Sequence, residues 1–216
     1  GVVMLTDENK QKVEPATVKI IMEDDCFGSG VLIPGRMILT ATHCVQHTAD
    51  GGMAIGDYYI ETLETSQSFL KAGPIMVEGV SDLAVLGGLD GQEFWDELTA
   101  FDAFCETVEP VGIHLKEVHP CMPFPAHLRT CEGEWMSGEA TIFNAASPIV
   151  AVAFSHAIPA GTSGSPIVND DGQIVGIVSN NSENPNRIQS SGYHPFPAMV
   201  LPWWVLKRIR TGQSFS

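Results

Sequence analysis

His43 ends the apolar run RMILTAT, Asp82 opens the run LAVL, and Ser163 lies in the turn AGTSGSP. Imidazole, carboxylate and hydroxyl are the groups from which acyl-transfer sites are built. A serine hydroxyl is a poor nucleophile at neutral pH. It needs a base to take its proton and a third group to orient that base. It also needs backbone N–H donors aimed at the developing oxyanion. A strand end gives His43 a rigid platform. Asp82, at the start of an apolar run, is expected to be partly buried, and a buried carboxylate needs a partner such as an imidazole N–H. Gly161 and Gly164 permit a tight turn that points successive N–H groups at one spot.

Each signal has a bland counterpart. An isolated histidine is more often a core-edge residue with a satisfied hydrogen bond. A carboxylate such as Asp82 can cap local N–H groups, and G-x-S-G is common in loops. Ser155 and Ser165 are rival nucleophiles to Ser163. Asp90, in GGLDGQ, reads as an ordinary turn residue. His47 follows His43 by four, but the H-E-x-x-H metal motif needs Glu where Cys44 stands. The α/β-hydrolase elbow G-x-S-x-G fails because position 165 is Ser, and that fold places its serine before its acid and histidine.

The elements that must hold these residues are short and β-branched. ATVKIIM (16–22), GVLIP (30–34), MILTA (37–41), LAVL (83–86), PIVAVAF (148–154), SPIV (165–168) and IVGIVS (174–179) read as strands separated by Gly, Pro, Asp and Asn. Asp171-Gly172 marks a hairpin turn within IVNDDGQIV. Regular short strands indicate a sandwich or barrel. Residues 91–108 carry Phe94, Trp95, Leu98, Phe101, Ala103 and Phe104 at near-helical spacing, which predicts a short helix or helical loop between two halves. LPWWVLKRIR (201–210) begins with Pro202 and ends basic, as a helix does. HPCMPFPAH (119–127), with three prolines, is expected to be irregular. No internal repeat is visible.

Among 216 residues, 44% are hydrophobic, enough for a sizeable core in one large domain or two small ones. Eleven basic against 26 acidic side chains give a net charge of −15, which argues against a phosphate-backbone partner. No apolar run approaches the ~20 residues of a membrane helix, and no signal peptide is visible. Five cysteines, at 26, 44, 105, 121 and 131, leave at least one without an intramolecular partner. His119, Cys121, His127 and Cys131 lie close together, but H-x-C-x₅-H-x₃-C fits no usual zinc site. A Cys121–Cys131 disulfide or free thiols are the preferred readings, and no metal is expected.

Taken together, GSGVLIPGRMILTATHCV, SDLAVL and GTSGSPIVNDDGQIVGIVS resemble the T-A-x-H-C, D-L-A-h-L (h, apolar) and G-x-S-G-x-P segments of the chymotrypsin-like serine proteases, over about residues 16–210. Their order, His43, Asp82, Ser163, is that of the chymotrypsin triad. The resemblance implies an all-β fold of two antiparallel six-stranded β-barrels, 1–105 and 106–216, with a C-terminal α-helix. It implies a serine endopeptidase needing no cofactor, with His43 as base, Asp82 as its orienter and Ser163 as nucleophile. Gly161 and Ser163 N–H groups would form the oxyanion hole. Ala157, Ile158 and Ala160 would border the pocket for the residue before the cut, and Ser179, Asn180 and Asn181 would hold an extended peptide. The expected partner is a protein or peptide, with no nucleic acid or membrane. A catalytically silent peptide-binding module and an esterase are the alternatives.

The departures from that family are informative. Thr162 replaces the aspartate that many members use to receive a freshly cut N-terminus, so no such switch is expected. G-T-S-G-S-P is shared with flavivirus-type and some bacterial members. Gly28 stands where the partner of Cys44 would be. Ala157 supplies no acid for a basic side chain, and Val178 replaces the histidine of glutamate-specific relatives. Both point to small or apolar residues at the cut, subject to His156 and His194. Oligomeric state and compartment are not encoded in these motifs; secreted bacterial and viral polyprotein proteases both fit.

Overall fold

The structure, a computed structural model, describes residues 3–22, 25–45, 59–78, 82–114, 122–142, 150–154, 157–181 and 196–200. The strands are β1 (Thr17–Met22), β2 (Asp25–Ile33), β3 (Met37–Ala41), β4 (Glu61–Glu64), β5 (Phe69–Glu78) and β6 (Leu83–Gly87), then β7 (Phe124–Arg129), β8 (Trp135–Ile142), β9 (Val150–Phe154), β10 (Pro166–Val168), β11 (Ile174–Asn181) and β12 (Phe196–Val200). Among the described residues two α-helices accompany them, α1 (Asp7–Val13) and α2 (Trp95–Thr107).

The strands close into two antiparallel barrels, ordered β1-β2-β3-β6-β5-β4 and β10-β11-β12-β9-β8-β7. Read around the ring from β7, the second barrel repeats the connectivity of the first. Closure leaves neither sheet with an open edge along its full length. The all-β, double-barrel expectation is met, while the expected C-terminal helix at 201–210 lies outside the described residues.

Alternation places Val18, Ile20, Val31, Ile33, Ile38 and Leu63 in the first core. That cluster runs on through Val168, Ile174 and Ile177 of the second barrel. Backbone bonds cross the junction as well, Val111 N–H to Leu32 O at 2.9 Å among them. The periodicity predicted at 91–108 becomes α2, whose Phe101 and Phe104 are buried. Arg36, in the β2–β3 turn, pairs with Asp102 and Glu106 of that helix. The β10–β11 turn falls at the predicted Asp171-Gly172, with Asn169 Oδ1 accepting the N–H groups of Asp171 and Gln173, each at 3.0 Å.

The proline-rich stretch corrects one expectation. Residues 124–127 are not irregular but form the start of β7. Pro125 pairs with Glu139 of β8 and sits in the part of the strand that β10 does not reach, since β10 pairs with β7 only at His127 and Leu128.

Candidate active site

Asp82 and His43 meet at the end of the β3–β6 pair. The ladder runs Thr40↔Ala84 and Ala41↔Leu83, so residues 42 and 82 lie just beyond it. Thr42 N–H donates to Asp82 O at 3.0 Å, and Thr42 Oγ1 is within bonding distance of Leu83 O (2.8 Å) and Glu78 O (3.0 Å). This clamp holds Asp82 in the left-handed region at φ 56°, which aspartate tolerates better than most residues.

Held there, the carboxylate is almost fully used. Oδ1 accepts His43 N–H at 2.9 Å, while Oδ2 lies 2.6 Å from His43 Nδ1 and accepts Ser179 Oγ–H at 2.8 Å. A ring nitrogen facing a carboxylate is the protonated one, which leaves Nε2 of the neutral ring as the acceptor. The hydrogen bond His43 donates to Asp82 raises the pKa of His43 above the usual 6.5, with Cys44 helping and partial burial opposing. Burial pushes Asp82 upward, but the bonds from the His43 ring, Ser179 and the His43 main chain outweigh it, and the carboxyl lies below 3.8.

Ser179 was expected to contact substrate, and sequence gave no hint of its bond to Asp82. The cause is a shift in register. β11 pairs with β12 as Val178↔Val200 and then Asn180↔Met199, leaving Ser179 as the extra residue of a bulge. A bulge re-aims one side chain out of the strand's alternation. Beyond Ile177, which pairs with Pro166, no strand of the described residues covers the β10-facing edge of 179–181. Such an edge suits strand addition by a peptide.

Ser163 reaches the same junction from the second barrel. Its carbonyl accepts Ser29 N–H at 2.7 Å and lies 3.5 Å from the thiol of Cys44, the residue after His43. Gly164 at φ 87° makes the approach possible, since a Cβ there would run into Ser29 O and come within 2.5 Å of Thr40 Oγ1. Ser163 is half-buried, whereas Ser165 is only 1% exposed with Oγ enclosed, so Ser165 is poorly placed to attack a substrate. Among the described residues no hydrogen bond joins Ser163 Oγ to the His43 ring. Catalytic bonds of this kind often tighten only with substrate bound.

In the loop before and after Ser163, Thr162 N–H bonds Pro159 O, Gly164 N–H bonds Val178 O, and Ser165 N–H bonds Thr162 O. The N–H groups of Gly161 and Ser163 have no such partner among the described residues. Of the expected pocket residues, Ala157 and Ala160 are exposed, while Ile158 is 3% exposed and belongs to the second core. Ser155, His156 and His194 lie outside the described residues.

The cysteines are now largely placed. Among the described residues Cys44, Cys105 and Cys131 are free thiols, while Cys121, the other half of the expected pair, lies outside them. A Cβ at Gly28 would lie 2.5 Å from Cys44 Sγ, so residue 28 does face Cys44 but offers no sulfur. His127, one of the four residues weighed for zinc, is fully buried with Nδ1 2.7 Å from Ser137 Oγ and Nε2 2.7 Å from Asp170 Oδ1. Both ring nitrogens are therefore occupied by protein. His119 and Cys121 lie outside the described residues.

Two closed barrels of shared connectivity, with His43 and Asp82 on one rim and the glycine-flanked Ser163 turn facing them, define a protein of the chymotrypsin fold. The trypsin family model matches residues 4–87, and the model for peptidase S7, the flavivirus NS3 serine protease, matches residues 150–194. The chain is thus a serine protease of this fold. It is similar in structure to the serine endoprotease from Yersinia pestis, with a TM-score of 0.62 and 15% identity over 98% of this chain and 67% of that one. It is similar also to the active form of the Rv3671c protease from M. tuberculosis, with a TM-score of 0.57 and 14% identity over 94% and 84%. A Ser343Ala mutant of Rv3671c, in an inactive form, gives 0.59 and 13% over 100% and 98%. No curated protein matches the chain in sequence.

Proposed function

We propose that the chain is an endopeptidase that works through an acyl-enzyme on Ser163. His43 Nε2 takes the Ser163 proton as Oγ attacks the peptide carbonyl, and later delivers it to the leaving amine. Asp82 fixes the ring's tautomer and stabilises the imidazolium as it forms. The N–H groups of Gly161 and Ser163 receive the oxyanion. Water then attacks the ester, and His43 serves again as base. Ser179, Asn180 and Asn181 hold the extended peptide, while Ala157, Ile158 and Ala160 border the pocket for a small or apolar residue before the cut. The two halves, 1–105 and 106–216, contribute base and nucleophile respectively. The observation that carries this reading is the 2.6 Å contact between His43 Nδ1 and Asp82 Oδ2, beside a Ser163 loop bonded onto the neighbouring β2.

Labelling with a fluorophosphonate tests it. One adduct should form, on Ser163, and it should be abolished by Ser163→Ala and strongly reduced by His43→Ala. A folded chain that never labels would instead be a silent peptide-binding module. A labelled chain that cleaves esters and no peptide would be the esterase.

A further inference from the structure

The two free N–H groups of the nucleophile loop face the site only if their peptide planes are held. In a trans peptide the N–H points opposite to the carbonyl of the preceding residue. Whatever ties down Thr162 O therefore aims Ser163 N–H, and whatever ties down Ala160 O aims Gly161 N–H. The first plane is held by main chain, with Ser165 N–H donating to Thr162 O at 3.0 Å. The second is held by a side chain. Cys131 Sγ lies 3.2 Å from Ala160 O, and Cys131 N–H donates to Thr162 Oγ1 at 3.2 Å.

The 160–161 plane is also the softer of the two. Gly161, at φ 91°, has the freedom to let that plane rotate, which a residue with a Cβ would not. Ser29 Oγ holds the next carbonyl along, Gly161 O, at 3.3 Å. Rotation of the plane would bring Ala160 O, an acceptor, to the place where a donor is needed.

We infer that Cys131 is a positioning residue for the oxyanion hole: its thiol holds Ala160 O away from the site and thereby aims Gly161 N–H into it. This rests on the proposed role of Ser163. Thr162 is the coupled element, because its buried hydroxyl fixes the Cys131 backbone against the same loop. A thiol is a weak donor, so this lock is easily loosened and a hydroxyl can replace it.

The test is steady-state cleavage of a peptide together with inhibition by a peptide aldehyde, whose adduct places an oxyanion in the hole. Full loss of an oxyanion donor costs about 10²–10³-fold in kcat, so a misaimed one in Cys131→Ala should cost about tenfold, with KM unchanged. Affinity for the aldehyde should fall by the same factor. Cys131→Ser should restore both to within about twofold, a rescue that lost packing alone would not give. If Cys131→Ala lowers the melting temperature, iodoacetamide on the folded wild type gives the same reading, with the modified cysteine mapped by mass spectrometry. Cys44 is buried, and the half-buried Cys105 has a thiol that burial pushes up to about 11, so both should react slowly. A Cys131→Ala enzyme with wild-type kcat and aldehyde affinity overturns this inference alone. A wild type that cleaves no peptide overturns the proposed function with it.

Discussion

A carboxylate held at φ 56° must be secured from several sides, and Asp82 is secured by Thr42, His43 and Ser179. Left-handed non-glycine residues persist only where their surroundings over-determine them, and they cluster at sites of function. The consequence for activity is a shift in pH dependence. With His43 as the proposed base for Ser163, only the neutral imidazole can accept the proton, so activity should rise with pH through the pKa of His43. Asp82 raises that pKa, so the acid limb of kcat/KM should lie above 6.5. In Asp82→Asn the limb should move down toward 6.5, and kcat should fall by about 10⁴-fold because the tautomer is no longer fixed. A limb that stays in place in Asp82→Asn would remove Asp82 as the cause. The type and order of His43, Asp82 and Ser163 were legible in sequence because strand ends and glycine turns are local patterns. The bond from Ser179 to Asp82 was not, because it joins residues 97 apart through a bulge that no local pattern announces.

At the scale of elements, the Ser163 turn works because it can lie against β2. Gly164 leaves no room for a side chain, and its φ of 87° is strained for any L residue. Gly164→Ala should therefore displace the turn and destabilise the fold by about 1–3 kcal/mol, the range for a side chain forced into a sparsely populated backbone region. Chemical denaturation should show a lower midpoint, and fluorophosphonate labelling should fall with it. An alanine variant with unchanged midpoint and labelling would mean that the Ser29–Ser163 contact is dispensable. Strands of plain apolar texture, such as β3, β6 and β11, could be read directly. β7 could not, because Pro125 and the prolines before it mask a strand whose early half lacks a β10 neighbour. β5 includes Gly73 and Pro74, and its register shifts between Pro74 and Met76, which hides its alternation.

At the scale of the molecule, the two barrels share one connectivity although the sequence shows no repeat. Connectivity constrains which strands are neighbours and which positions face inward, and many apolar residues satisfy those demands. The shared core through Ile174 and Ile177 joins the half that carries His43 to the half that carries Ser163. Net charge acts at this scale too. With 26 acidic and 11 basic side chains, the molecule's field draws cationic peptides and repels anionic ones. This is independent of the pocket that selects the residue before the cut. Two peptides with the same cleavage site, one flanked by lysines and one by glutamates, separate the two effects. Raising ionic strength from about 0.01 to about 0.15 M shortens the Debye length from about 30 to about 8 Å, so kcat/KM for the lysine peptide should fall severalfold. For the glutamate peptide it should rise, and the two values should converge. Salt responses of the same sign and size for both peptides would show that the net charge does not reach the cleft.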